Sequence, residues 1–177
     1  MSLLNSTNDG YPNTLIALFR ALWTSEPLNE EALLKLCSSF NPDGDKRLHD
    51  SLLRWTQLGL FETSKSKNVQ LGKIVYEYID KGETVESATN KLPRILRKIV
   101  FLPKNNENFW SDQENLAADL VRGLSWLLAQ NIAEINLKSW HNLQSSEISQ
   151  MGQGKSIIKN DVRWTALVNW ATYLGFM

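Results

Sequence analysis

A single cysteine, Cys37, stands among the 177 residues. That excludes an intrachain disulfide and a zinc site built on several thiolates. Histidine is almost as scarce: His49 and His141 are the only two, and neither has metal-ligand spacing to another ligand. No apolar run approaches the ~20 residues that span a bilayer. The opening MSLLNSTNDGYP has no basic stretch ahead of an apolar core, the mark of a secretory signal. A cytoplasmic protein without membrane contact is expected. An excess of one charge is missing too, since 19 basic side chains face 19 acidic ones. The overall basic balance usual in strong nucleic-acid binders is therefore absent, although a local basic face is compatible with neutrality. There is no Gly-rich phosphate loop. GQGKS, residues 152–156, ends like one but lacks the spacing, and no strand is expected before it. No catalytic constellation remains, and the expectation is a non-enzymatic protein with no metal, cofactor or small-molecule substrate.

What is present is organised around Asp45 to Phe61, DKRLHDSLLRWTQLGLF. Leu48, Leu52, Trp55 and Leu58 recur at helical spacing and predict one buried stripe. Asp45 is placed to cap the helix start and Gly59 to stop it in a left-handed conformation. Arg47, Ser51 and Arg54 fall on a second, polar and basic stripe. FETSKSKNVQLG then reads as two short strands about a polar turn that carries Lys65 and Lys67. A helix with one buried and one basic stripe, followed by a hairpin, suggests the recognition helix and wing of a winged-helix unit. In that arrangement Arg47, Ser51 and Arg54 would read the major groove. Lys46, Lys65 and Lys67 would hold phosphates, with the wing lysines also suited to the minor groove.

The chain before this stretch fits the same unit. TLIALFRALW predicts a deeply buried helix with Leu15, Leu18, Phe19 and Leu22 on one face. SEPLN reads as a turn, and Asn29 as the cap of a second helix whose core face is Leu33, Leu34, Leu36 and Cys37. FNPDGD reads as another turn. Residues 73–110 read as a helical connector: a short helix over KIVYEYID, one capped by Thr84, and one started or kinked by Pro93. It holds the basic residues Lys91, Arg94, Arg97, Lys98 and Lys104, and PKNNENF is expected to be the linker between halves.

Shifted by 116 residues, Asp161 to Phe176 falls into register with the organising stretch. Asp45 meets Asp161, Arg47 meets Arg163, Thr56 meets Thr172, Leu58 meets Leu174, and Gly59 meets Gly175. The second half, residues 111–177, therefore reads as a repeat of the unit at 1–72. Its first helix is expected after a Ser111–Glu114 capping box, its second within IAEINLKSWHNLQ, and its third after Asn160 or Asp161. SSEISQMGQGKS reads as an exposed loop. The chain stops where a second wing would begin, which suggests a longer protein or a lost wing. Leu167 and Trp170 take the places of Ser51 and Arg54. Either they are buried against the connector's apolar face, Ile95 and Ile99, or they face outward and form a protein-binding patch.

The fold class expected is mainly α with small β-hairpins, as two winged helix-turn-helix units joined by a helical connector. Beyond this pattern, Met1-Ser-Leu-Leu-Asn5 and Asp9-Gly-Tyr-Pro-Asn13 resemble the start of DpdG-type proteins. These belong to bacterial islands that insert 7-deazaguanine bases into DNA and restrict unmodified DNA. The resemblance implies a role in DNA modification-restriction or phage defence beside other protein subunits, and it supplies no catalytic residue. Two functions follow as alternatives: a component that binds double-stranded DNA through its first half, or a protein–protein adaptor that never touches DNA.

Overall fold

The computed structural model describes residues 3–4, 12–38, 41–111, 116–131 and 139–177. It is mainly helical with a small antiparallel sheet. Helix α1, Pro12–Ser25, buries Leu15, Leu18, Phe19 and Leu22. A two-residue strand, β1 (Leu28–Asn29), follows inside the stretch that reads as a turn. Helix α2, Glu30–Cys37, opens on Asn29, whose side chain accepts the Glu31 amide as expected. Of the four core residues expected here, only Leu33 is fully buried; Leu36 is 65% exposed. The helix is eight residues long and offers the core one face.

Helix α3 runs Pro42–Leu58. It begins a turn earlier than expected, and Asn41 rather than Asp45 caps it, accepting the Asp43 amide at 3.0 Å. Pro42 suits a first helical position, where no amide hydrogen is required. Asp45 instead accepts the Ser38 hydroxyl. The predicted stripe of Leu48, Leu52, Trp55 and Leu58 is buried in the same cluster as the α1 face. Gly59 ends the helix at φ 96°.

Strands β2 (Phe61–Thr63) and β3 (Asn68–Leu71) form the hairpin, and β1 pairs with the far edge of β3, giving the order β1-β3-β2. Phe61 lies opposite Leu71 and Leu28 opposite Val69. Gly72 crosses the end of α3 so closely that a Cβ there would lie 2.5 Å from the Gly59 carbonyl oxygen. Its amide donates to the Leu60 carbonyl at 2.7 Å.

The connector begins with a 3-10 turn, Lys73–Glu77. A single helix, α4 (Val85–Val100), then replaces the two expected and passes through Pro93. An interior proline costs about 3 kcal/mol or more. Here a continuous stripe of Ala88, Leu92, Ile95, Leu96, Ile99 and Val100 is buried on both sides of it, and this packing opposes the break. Thr84 caps α4 through the Ser87 amide. Glu83 accepts bonds from Lys91, Ser87 and the Asp80 amide, which hold its carboxyl down at about 2.

The expected linker, PKNNENF, opens with a packed 3-10 turn, Pro103–Asn106. Asn105 is buried and donates to the carbonyls of Leu58 and Ile99, joining the ends of α3 and α4. Helix α5 is Ala118–Leu128, α6 Trp140–Met151 and α7 Asp161–Tyr173. Most of the proposed capping box, residues 112–114, lies outside the described residues, as does IAEINLK. Much of the stretch that reads as a loop is instead the last turns of α6. Glu147 is buried there and accepts Ser156 Oγ and the amides of Ile157 and Ile158. Asn160 caps α7 by accepting the Arg163 amide at 2.9 Å. One buried cluster contains residues of all the α-helices except α6.

Candidate nucleic-acid interface

Helix α3 divides along its length. Near its start Lys46 and Arg47 are outside the buried core, and among the described residues neither has a carboxylate within 4 Å. Farther along, the second stripe turns inward. Ser51 is 4% exposed and Arg54 1%. Arg54 Nη1 donates to the Leu3 carbonyl at 3.4 Å, so the guanidinium is committed to the chain's own opening residues. The expectation that Ser51 and Arg54 reach DNA is therefore corrected. Leu3 and Leu4 are fully buried and close over this face. The adjacent leucines of MSLL are the available signal for it.

The same correction applies in the second half. Leu167 and Trp170 are 0% and 1% exposed, so they form no patch for a partner. Leu167 packs on Gly123 of α5, where a Cβ would lie 2.9 Å from Leu167 Cδ1. Trp170 meets Trp55 of α3, with ring centroids 5.4 Å apart. Arg163, the counterpart of Arg47, is held by Asp119 at 3.3 Å. The same carboxylate oxygen, Asp119 Oδ2, accepts the Leu4 amide at 2.9 Å. The opening residues thus tie α3 to α5 and α7.

The hairpin tip supplies two more exposed cations, Lys65 and Lys67. Its turn is closed by the Ser64 amide donating to the Asn68 carbonyl and the Lys67 amide donating to the Ser64 carbonyl. Lys67 adopts φ 57°, the left-handed residue that completes such a hairpin loop. The Lys67 carbonyl accepts the Glu30 amide at 2.9 Å. Glu30 Oε1 lies 3.9 Å from His49 Nε2, one turn along α3 from Lys46. The first residue of α2 therefore links the hairpin tip to the outer face of α3, a connection that no local pattern announces.

Connector cations are mostly engaged within the fold. Lys91 pairs with Glu83, Arg94 lies 5.3 Å from the Tyr78 ring centroid, and Arg97 donates to the Leu174 carbonyl. Cys37 is half-buried, and burial pushes its thiol up, away from the reactive thiolate. His141 stacks on Trp140 at 3.7 Å. Among the described residues no group of three His, Cys, Asp or Glu could hold a metal ion, and no helix is long and apolar enough to cross a membrane.

Comparison with known families matches the chain to the family described as DpdG-like over residues 1–177. The likeness therefore extends well past the opening residues that suggest it. No curated protein and no solved structure matches the chain.

Proposed function

We propose that this chain, which belongs to the DpdG-like family, is a non-enzymatic component that grips double-stranded DNA through Lys46, Arg47, Lys65 and Lys67. Membership of the family ties it to a DNA modification system. The order α1-β1-α2-α3-β2-β3, with sheet order β1-β3-β2, supports reading the first half as a winged helix-turn-helix unit. The observation that carries the proposal is the presence of outward cations, without ion-pair partners among the described residues, on both α3 and the hairpin tip, joined through Glu30. Phosphate contacts fix position and supply most of the affinity, whereas base contacts supply sequence choice. With Ser51 and Arg54 in the core, α3 has no inner readers. The expected grip is phosphate-led and weakly selective.

A second reading, an adaptor that engages only proteins, draws support from the zero net charge and from Asp43 and Asp45 in the first turn of α3, which oppose a phosphate there. Salt titration separates the two. The parent is expected to bind duplex DNA at low salt. Replacing Lys46, Arg47, Lys65 and Lys67 by Ala should lower the log–log salt slope by about 0.9 for each phosphate that is no longer neutralised. Unchanged affinity and slope, or no binding by the parent, would favour the adaptor.

A further inference from the structure

A second exposed feature lies away from α3, on the turn that follows the connector. Trp110 is 57% exposed. Phe109 meets it edge-on with centroids 5.1 Å apart, and the Ser111 amide closes the turn on the Asn108 carbonyl. Two cations approach the indole. Lys155 Nζ is 4.8 Å from the ring centroid and the Arg122 guanidinium carbon 5.8 Å. Lys155 belongs to the GQGKS stretch, which is no P-loop: it forms a 3-10 turn, Gln153–Lys155, directly after α6.

The placement of Lys155 is built in from beneath. Glu147 is fully buried, and its two carboxylate oxygens accept Ser156 Oγ at 2.6 Å and the amides of Ile157 and Ile158 at 2.9 Å. These bonds fasten the residues after Lys155 to α6 and set the lysine beside the ring. Above the turn the surface is open: a Cβ on Gly152 or Gly154 would meet nothing within 4 Å. Arg122 is 2% exposed and Lys155 is exposed, so one cation is fixed in the fold and the other reaches solvent.

We infer that Trp110 and Lys155 form a binding site for an unpaired nucleobase and its phosphate, with the indole as the stacking surface and the ammonium as the anion partner. Cation–π attraction alone accounts for the lysine's position, yet more than half of Trp110 stays in solvent. The exposed ammonium of Lys155 beside an exposed ring disfavours a purely apolar occupant and favours an aromatic group that carries an anion. A nucleotide has both parts, and exposed aromatics interleaved with cations are the means by which single strands are held without sequence preference. This site is separate from the α3 and hairpin cations, and it does not depend on them.

The test uses the whole chain with two probes, a short oligothymidylate and thymidine monophosphate, which distinguish a strand from a free nucleotide. The parent is expected to bind at least one of them at low salt with quenching of tryptophan fluorescence. Trp110→Ala should weaken that binding roughly 10- to 100-fold, the range for losing one base stack. Trp110→Phe should retain most of it. Lys155→Ala should reduce the salt slope by about 0.7, the single-strand value for one phosphate. Circular dichroism checks that each variant is folded, which the exposure of both side chains favours. The variant lacking Lys46, Arg47, Lys65 and Lys67 should keep this binding, so the two sites can fail independently. Binding of neither probe by the parent, or equal affinity in folded Trp110→Ala, overturns the inference.

Discussion

In α3 the amide of Gly59 donates to the Thr56 carbonyl at 3.1 Å, and that of Leu60 to the Trp55 carbonyl at 2.9 Å. In α7 the amide of Gly175 donates to the Thr172 carbonyl at 3.0 Å, and that of Phe176 to the Ala171 carbonyl at 2.8 Å. The two ends coincide in the register of 116 residues, and both glycines have positive φ, 96° and 78°. Each also meets a connector cation. A Cβ on Gly59 would lie 3.5 Å from Lys104 Nζ, and one on Gly175 3.3 Å from Arg97 Nη1. A positive charge at a helix C-terminus complements its dipole. The starts differ. α3 is capped by Asn41 and turns Lys46 and Arg47 outward, whereas α7 is a turn shorter, is capped by Asn160, and gives its arginine to Asp119.

This difference shows what the inner faces are for. Ser51 and Arg54 on one helix, and Leu167 and Trp170 on the other, are opposite in chemistry and alike in burial. Both pairs point into the chain, so the contrast in polarity reflects different neighbours inside the molecule and not DNA on one side and protein on the other. Arg54 faces a backbone carbonyl at Leu3, and Trp170 faces another indole. On α3 the cations kept for the outside are Lys46 and Arg47, in its first turns.

The largest effect expected concerns the point where the helices meet. Trp55→Ala and Trp170→Ala should each cost ~3–5 kcal/mol, the range for removing a large buried aromatic. Because the rings are 5.4 Å apart, the double variant should lose less than the sum, with a coupling of about 0.5–1.5 kcal/mol. Chemical denaturation of the four proteins measures it. Strict additivity would break the claim that these two side chains stabilise one another.

A smaller effect tests the shared ending. Gly59→Ala and Gly175→Ala each force a side chain into the left-handed region, at about 1–2 kcal/mol. Thermal melts should show similar losses. A loss at Gly59 alone would mean that the α7 stop is frayed in solution and that the likeness of the two ends has little energetic content.

How much of this is legible in the sequence depends on the distance over which each feature is decided. The stripe Leu48–Leu52–Trp55–Leu58, the Asn29, Thr84 and Asn160 caps and the glycine stops are local, and the structure has them where spacing puts them. Asp45 fails as a cap because Asn41 and Pro42 together make a stronger start one turn earlier. Burial of Ser51, Arg54, Leu167 and Trp170 cannot be read from periodicity. It depends on Leu3, Gly123 and the opposite helix, all distant along the chain. The four cations of the candidate interface are legible from their spacing and from the hairpin turn. Their link through Glu30 is not, because it needs the sheet and α2 already folded. Trp110 and Lys155 escape a sequence reading because one falls at the end of the apparent connector and the other in an apparent loop.

The last contrast is between Tyr173 and its counterpart Gln57, which is exposed and does not titrate. Tyr173 is partly buried, and burial pushes its hydroxyl up to about 12. In the unfolded chain a tyrosine releases its proton near pH 10, about two units earlier. Between those values the unfolded state has lost a proton that the native state still holds. Alkali therefore favours unfolding, and the contribution of Tyr173 is fully present below about pH 10 and is lost as pH rises toward 12. Tyr173→Phe removes the titrating group and keeps the ring against Trp170, whose centroid is 6.2 Å away. At neutral pH the variant should melt close to the parent, because the deleted hydroxyl has no hydrogen-bond partner among the described residues. From about pH 9 upward its melting temperature should decline less steeply than the parent's. Parallel decline in the two proteins would place Tyr173 in solvent and return α7 to an ending no more buried than that of α3.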